Sequence, residues 1–599
     1  MSRPSMMWIS APALCAVALL SPPALGQDKA PKPKATPAAG VEHWQGTLKA
    51  GAREIPLVLN VTRGDKGAIR SATMDSPDEG AEGLALDPFA IADGKLSFTL
   101  KVSSAKYEGK LSKDGDEAVG TWSQRGAKLP LTFKKTKAPM AVPKIVGPEQ
   151  LWEGKLELGA GLKLRLVFHV GKTADGTLMA KMDSPDQGAK GLKVDSVSVT
   201  KTELKFELKA IKGEYEGKLN ADGTEAEGTW TQLGNKFPLT LKKTEKATEV
   251  RRPQTPKGPF PYRSIDATYM NKAGGVTLAG TLTEPEGAGP FPAVLFITGS
   301  GAQDRDENLF QHRPFFVLAD ALARRGVAAL RVDDRGVGGS TGDTLTSKSE
   351  DTAGDVLAGI EFLKSRKEID PARIGLIGHS EGGIIAPLVA SRSKDVAFLV
   401  LMAGTGLPGD EIIYLQGRAI LKGLGADEAT LNRTTDLQRE LFRIVRAEKD
   451  EKVADGKVRE AFKAHLASLP EDQRKEAKAS EGVIESRLKL VRTPWFRDFL
   501  DLDPRVALKK VTCPVLALIG EKDLQVPPKE NLVEIEKALK SGGNTKFVVR
   551  ELPGLNHLFQ TCKTGNLSEY TEIEETIAPS ALAAITDWVG ETTGKAKVR

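Results

Sequence analysis

The sequence predicts an α/β protein. Its second half reads as a mostly parallel sheet carrying a helical cap, and its first half as two small antiparallel β modules, barrel or sandwich. Three observations carry that expectation. From Ser264 onward, short continuous apolar runs alternate with amphipathic helical stretches, as strands covered on both faces require. Residues 42–136 and 150–244 repeat each other. One apolar run, Ile374-Gly-Leu-Ile377, feeds directly into a turn of small residues around Ser380 and then into a helical stretch. At 599 residues the chain is too long for one domain, while 40% hydrophobic and 27% charged residues supply ordinary globular cores.

The chain opens on what reads as an export signal over residues 1–26. Arg3 supplies charge, residues 6–20 are mostly apolar, and Ala24-Leu25-Gly26 offers small residues for cleavage. Pro12, Pro22 and Pro23 interrupt the stretch, so it makes a poor spanning helix of about 20 residues. The expectation is a secreted or periplasmic protein with no membrane span once the signal is removed. Cys15 falls inside the signal, leaving Cys513 and Cys562. A strand of about 20 Å should separate these two, against the roughly 6 Å a disulfide allows, so both are expected as buried free thiols. The net charge of 85 − 79 = +6 is scattered among acids, and no basic stripe alternates with aromatics. That pattern excludes a nucleic-acid partner.

Residues 27–41 are Lys-, Pro- and Ala-rich and read as a linker. The repeat follows. Trp44-Gln-Gly46 returns as Trp152-Glu-Gly154, Met74-Asp-Ser-Pro-Asp78 as Met182-Asp-Ser-Pro-Asp186, and Tyr107-Glu-Gly-Lys-Leu111 as Tyr215-Glu-Gly-Lys-Leu219. Each pair lies 108 positions apart, so insertions between them must cancel. Ile55, Leu57, Leu59 and Val61 alternate with polar residues and match Leu164, Leu166, Phe168 and Val170, the period of a strand with one buried face. Asp114-Gly115 and Asp222-Gly223 read as hairpin turns. The expectation is six to eight strands per copy. Trp44, Trp122, Trp152 and Trp230 are expected to fill the cores, the alternative being a ligand cup. His169 is expected at the surface. A polysaccharide or envelope ligand for these modules stays open. A second linker spans 137–148 and a Pro-rich third spans 245–261, placing the next boundary near 262.

From there to 595 the predicted strands are 276–282, 293–298, 327–332, 374–377, 396–402, 515–519 and 547–552. The predicted helices include 315–325, 356–365 and one from about 384. Residues 408–500 lack strand signals and are rich in helix formers, with apolar stripes at 411–422 and 437–448. They are expected as an inserted helical cap, in which Trp495 and Phe499 either line an acyl pocket or pin the cap to the body. A parallel sheet places its site at the carboxyl ends of its strands, and the following groups all fall there.

Gly378-His-Ser-Glu-Gly382 has the small-x-Ser-x-small form that lets a strand turn sharply into a helix and expose a hydroxyl. Ser380 is the candidate nucleophile. A serine needs an imidazole within reach to take its proton. His557, just past the last strand, is the candidate base, and His312 its competitor. His379, beside the serine, is expected to point away. Asp523, after strand 515–519, is the candidate acid orienting the imidazole. Its alternative role is capping the helix after it, and Asp501 and Asp503 are alternative acids. An oxyanion would meet the backbone N–H of Glu381 and one from the turn Thr298-Gly-Ser-Gly-Ala302, with Ser300 first choice and Gly301 second. Arg305 and Arg335 are expected in structural ion pairs, the alternative being a substrate carboxylate. There is no His-Glu-x-x-His or clustered His/Cys set, so no metal or cofactor is expected.

Residues 262–595 resemble the α/β-hydrolase superfamily, in the branch of exported esterases similar to serine aminopeptidases. The phrases that carry the resemblance are Gly299-Ser-Gly-Ala-Gln-Asp-Arg305, Asp334-Arg-Gly336, Gly378-His-Ser-Glu-Gly-Gly383, Gly520-Glu-Lys-Asp523 and Gly554-Leu-Asn-His557. The resemblance implies Ser380, Asp523 and His557 as a triad acting on carboxylic esters without a cofactor. Thr298 departs from the pattern, many relatives carrying His there. The expectation is a serine hydrolase forming an acyl-enzyme from small or medium acyl esters. The alternatives are an aminopeptidase or amidase, with Asp410 or Glu411 meeting the substrate amine, and a non-enzymatic envelope- or polysaccharide-binding protein.

Overall fold

The computed structural model describes residues 41–595 apart from 51–52, 65–67, 80, 101–104, 125–126, 138–143, 159–160, 233, 472–473 and 475–487. The expected signal and most of the first linker lie outside the described residues. The chain divides into two compact units, one holding both repeats and the other everything from Val250.

Each repeat is one curled antiparallel half-barrel of nine strands, rather than the six to eight expected. The first runs from β1 (Val41–Ala50) to β9 (Ala127–Thr136), the second from β10 (Val146–Glu157) to β18 (Asn235–Thr244). Strands adjacent in sequence pair, except at one break, and the first strand also pairs with the last. The break leaves β4 (Ala81–Ala85) and β5 (Phe89–Ala92) as edges in one copy, and β13 (Ala189–Lys193) and β14 (Ser196–Val199) in the other. These four- and five-residue strands are the ones too short to register in an alternation pattern. β10 begins inside the segment read as a linker.

The two sheets share their central tyrosine contacts. Tyr107 Oη donates to the carbonyls of Ala118 and Leu131, and Tyr215 Oη to those of Ala226 and Leu239. Leu59 lies opposite Met74 and Phe168 opposite Met182, so this strand carries the one-residue offset that the sequence required to cancel. Trp44, Trp122, Trp152 and Trp230 are all buried and occupy the cores, which leaves no tryptophan cup. His169 is not simply solvated: it is half-buried, with Nδ1 on Glu149 at 2.9 Å and Nε2 on Asp183 at 3.2 Å.

The second copy holds a buried ion pair, Arg165 with Asp186, whose carboxylate also accepts from the Arg165 N–H at 2.7 Å. Removing one partner strands the other charge in an apolar interior, which costs about 3–5 kcal/mol. Asp186→Ala should therefore lower the urea midpoint of the tryptophan fluorescence transition. An unchanged midpoint would show that the pair contributes nothing.

The second unit is built on eight strands: β19 (Tyr262–Asn271), β20 (Val276–Pro285), β21 (Phe291–Ile297), β22 (Ala328–Val332), β23 (Ile369–His379), β24 (Phe398–Met402), β25 (Val515–Gly520) and β26 (Phe547–Leu552). Their order is β19-β20-β22-β21-β23-β24-β25-β26. β19 and β20 form an antiparallel hairpin paired antiparallel to β22, and the remaining pairs are parallel. β21, β24 and β25 are buried along their whole length because helices cover both faces. On one face Leu295 packs with side chains of α2 (Ser349–Lys364), α3 (Gly382–Ala390) and α9 (Pro528–Ser541). On the other, Val294 and Phe296 pack with α1 (Pro314–Ala323) and α10 (Pro579–Thr593). β19 escaped the sequence reading because it is an edge strand with most residues partly or fully exposed.

Between β24 and β25 lie the helices α4 (Gly409–Gly423), α5 (Glu428–Ala447), α6 (Glu451–Ser468), α7 (Pro494–Asp501) and α8 (Pro504–Leu508). The segment before β19 is docked rather than free from Val250 onward. Arg252 donates to the Phe310 and Ile573 carbonyls, and Gln254 exchanges hydrogen bonds with the backbone of Thr576 and Ile577. The expected linker to 261 is thus too long, since two polar side chains satisfy loop backbone groups of the sheet unit. Cys513 and Cys562 are free thiols, only partly buried. Among the described residues no helix is long and apolar enough to cross a membrane.

Candidate active site

The chain turns from β23 into α3 at Ser380, which sits at φ +52° in the left-handed region that costs a serine conformational energy. Two glycines make the turn fit. A Cβ on Gly378 would lie 2.0 Å from the Gly382 carbonyl oxygen, and one on Gly382 would lie 2.2 Å from that of Ile297. The start of α3 therefore rests on the backbone of β21. That contact sets the turn after β21 beside Ser380: a Cβ on Gly299 would be 3.2 Å from the Ser380 Cβ.

Ser380 and His557 line one pocket, together with Ser300 and Glu381. Behind it, His557 Nδ1 meets Asp523 Oδ2 at 2.8 Å, with both groups buried. This leaves His557 Nε2 as the nitrogen able to take the Ser380 proton. The other Asp523 oxygen accepts the backbone N–H groups of Gln525 and Val526, each at 2.8 Å. Those bonds fix the carboxylate as an acceptor. They also dispose of the capping alternative, because α9 starts only at Pro528. Lys522 N–H donates to the Leu555 carbonyl at 2.9 Å, tying the acid loop to the base loop. Asn556, buried completely, accepts from Leu558 and Gln560 N–H and shapes the loop that carries His557.

The competitors lie elsewhere. His312 bonds to Thr576 Oγ1 and the Tyr570 carbonyl, and burial with the nearby Arg252 charge pushes its pKa down to about 3. It is a neutral structural histidine. Asp501 pairs with Arg446 and Asp503 caps α8.

The turn Thr298–Ala302 is held from several sides by acids. Gly299 N–H donates to Glu307 at 2.7 Å, Gln303 N–H to Asp334 at 2.9 Å and Arg305 N–H to Asp333 at 2.9 Å. Thr298, the departure noted in the sequence, donates its hydroxyl to Asp334 at 2.7 Å. Among the described residues the Ser300 and Glu381 N–H groups are left without a protein acceptor, on the wall of the Ser380 pocket. Gly301, the second choice, sits at φ +97° and lines an adjoining cavity that it shares with Gly299 and Glu381. Arg305 and Arg335 are structural, paired with Asp333 and Asp355.

Much of the pocket's wall is apolar: Leu309, Ile384, Ile412, Ile413, Trp495 and Phe499. Trp495 lines the pocket, and its indole Nε1 donates to the Glu381 carboxylate at 2.9 and 3.1 Å. Burial raises the pKa of that carboxyl, and the hydrogen bonds from Trp495 and Ser300 only partly offset it. Phe496 and Leu500 pack inside the inserted helices. Asp410 is held by Arg446 and does not line this pocket.

Two residues beside the nucleophile were missed. His379 does not point idly away: it is buried, with Nδ1 on Glu307 Oε1 at 2.9 Å and Nε2 on the His557 carbonyl at 3.1 Å. Glu307 itself is buried at φ +52°. In the sequence it follows the run Gln303-Asp-Arg-Asp306, and nothing distinguishes it from the rim acids there. Among the described residues no cluster of His, Cys, Asp and Glu could hold a metal.

Residues 274–550 match the family described as X-Pro dipeptidyl-peptidase (S15 family). Esterase EstD of Thermotoga maritima is 28% identical over 286 residues, covering 47% of this chain. The chain spans 58% of the length of that relative. An uncharacterised protein of Mycobacterium tuberculosis is 32% identical over 133 residues, covering 22% of this chain and 43% of its own. Among solved structures, a Pyrococcus furiosus esterase is 17% identical with a TM-score of 0.34, covering 58% of this chain and 98% of that one.

The close approach at the elbow is testable by stability. Gly382→Ala places a methyl group against the Ile297 carbonyl and should cost about 3 kcal/mol through overpacking. A melting temperature equal to that of the unmodified protein would show that the sheet can yield there.

Proposed function

We propose that this chain, a member of the α/β-hydrolase superfamily of esterase- and peptidase-like type, is a serine esterase that works through an acyl-enzyme. The observation that carries the reading is the buried 2.8 Å His557–Asp523 bond opening onto the pocket that holds Ser380. Ser380 Oγ attacks the ester carbonyl while His557 Nε2 takes its proton. Asp523 holds the imidazole in the tautomer that leaves Nε2 free and stabilises the imidazolium. The N–H groups of Ser300 and Glu381 meet the oxyanion, a term worth about 3 kcal/mol per donor. His557 then returns the proton to the departing alkoxide, and water repeats the sequence on the acyl-enzyme.

The inserted helices act as a cap whose aromatic and aliphatic side chains bind a small or medium acyl group. The chain is secreted or periplasmic in this reading, and the two half-barrels are a spacer or a carbohydrate- or envelope-binding element.

A peptidase reading is favoured by the S15 description of the matched family. Glu381, not Asp410 or Glu411, would then be the acid nearest a substrate amine.

Ser380→Ala should lower kcat on p-nitrophenyl acetate by roughly four to six orders of magnitude with the fold intact. Asp523→Asn should lower it by about 10⁴-fold. Turnover retained in the Ser380 variant would end the reading. The ratio of rates on an X-Pro p-nitroanilide and on the acetyl ester separates peptidase from esterase.

A further inference from the structure

We propose that Glu307 and His379 form a buried ion pair, with His379 an imidazolium, that positions the base loop and the oxyanion turn around Ser380. This rests on the esterase reading for its catalytic consequence, but not for its charge state. The charge follows from the partners. His379 Nδ1 faces a carboxylate oxygen at 2.9 Å, and Nε2 faces a backbone carbonyl oxygen at 3.1 Å. Both are acceptors, so both ring nitrogens must carry hydrogen, which only the cationic ring provides. His312 shows the contrast, since its ring meets a hydroxyl and the Gln560 amide as well as a carbonyl.

The same Glu307 oxygen accepts two donors, His379 Nδ1 and the Gly299 N–H at 2.7 Å. A single carboxylate oxygen thus connects the turn that presents Ser300, the strand that presents Ser380 and, through the imidazole, the main chain of His557. The two imidazole rings stand 4.8 Å apart between centroids. Both members of the pair are buried, at 2% exposure for Glu307 and 4% for His379. The ionisable groups facing His379 are Glu307 from the loop after β21, His557 from the loop after β26 and Asp523 behind it from the loop after β25. Burial by itself would lower the pKa of His379. The charge and hydrogen bond of Glu307, with the His557 carbonyl and the Asp523 charge, outweigh it and raise the pKa. On the histidine side the clamp is therefore present below that raised value and is lost as pH rises through it.

The pair touches no reacting atom, and both are positioning residues. The test uses the full chain labelled with ¹⁵N-histidine, observed at pH 7.5, about one unit above the ordinary histidine value. His169, whose ring lies between the Glu149 and Asp183 carboxylates, is the other ring with two acceptors, so the spectrum is read in a His169→Gln background. There one ring should show the shifts of a doubly protonated imidazolium, and that signal should vanish on adding Glu307→Gln. Glu307→Gln should also lose about 100-fold in kcat on p-nitrophenyl acetate with little change in KM, the cost of a displaced reacting geometry. Glu307→Asp, which keeps the charge, should recover part of both. A His169→Gln spectrum with every histidine neutral, or wild-type kcat in Glu307→Gln, would overturn the proposal. If Glu307→Gln does not fold, the His169→Gln spectrum alone decides the charge. Labelling of wild type, but not Ser380→Ala, by a fluorophosphonate judges the esterase reading separately.

Discussion

Everything at the candidate site depends on main chain lying directly against main chain where β23 turns into α3. With no side chains at Gly378 and Gly382, the helix start can touch the end of β21. That contact places two strand ends in one small volume, so that a hydroxyl from one and amide groups from the other face the same point. The parallel sheet then brings the loops after β25 and β26 to the same rim, because parallel strands end on one side. The geometry of the site is a consequence of sheet order and of one tight approach, before any acid or base is considered.

The second feature is how much negative charge is spent on holding a short turn still. Asp333, Asp334 and Glu307 each accept a backbone N–H from residues 299–305. Main-chain donors in that turn are thereby sorted into those already engaged and those left facing the pocket. Asp334 is so deeply buried that desolvation drives its pKa well up, with only the Thr298 hydroxyl and Gln303 N–H opposing. Carboxylates buried this far are costly. Their concentration around one turn is coherent if its amide directions matter more than its stability.

Much of this was legible in the residues. The alternation of apolar runs and helical stretches located seven of the eight strands of the sheet unit, and the elbow identified Ser380 because its sequence pattern has a backbone cause. Asp523 and His557 were legible because loops at neighbouring strand ends must meet. What was not legible depended on tertiary placement. Glu307 is one acid among several in a loop, and only the fold decides that it faces His379 rather than water. β19 lacked a continuous apolar run because it is an edge, and the docked segment from Val250 looks like any proline-rich connection. The nine strands of each half-barrel were undercounted because the edge strands are four or five residues long.

Among the described residues the indole of Trp495 is the polar tie between α7 and the start of α3, and it ends on a buried carboxylate. Swinging α7 outward would strip that carboxylate of the indole and leave it the Ser300 hydroxyl, and a buried acceptor that loses a donor costs on the order of 1–3 kcal/mol. One aromatic nitrogen thus resists any outward swing of α7 at the elbow, alongside the Asp498 carboxylate that holds α7 to the Ser349 N–H of α2.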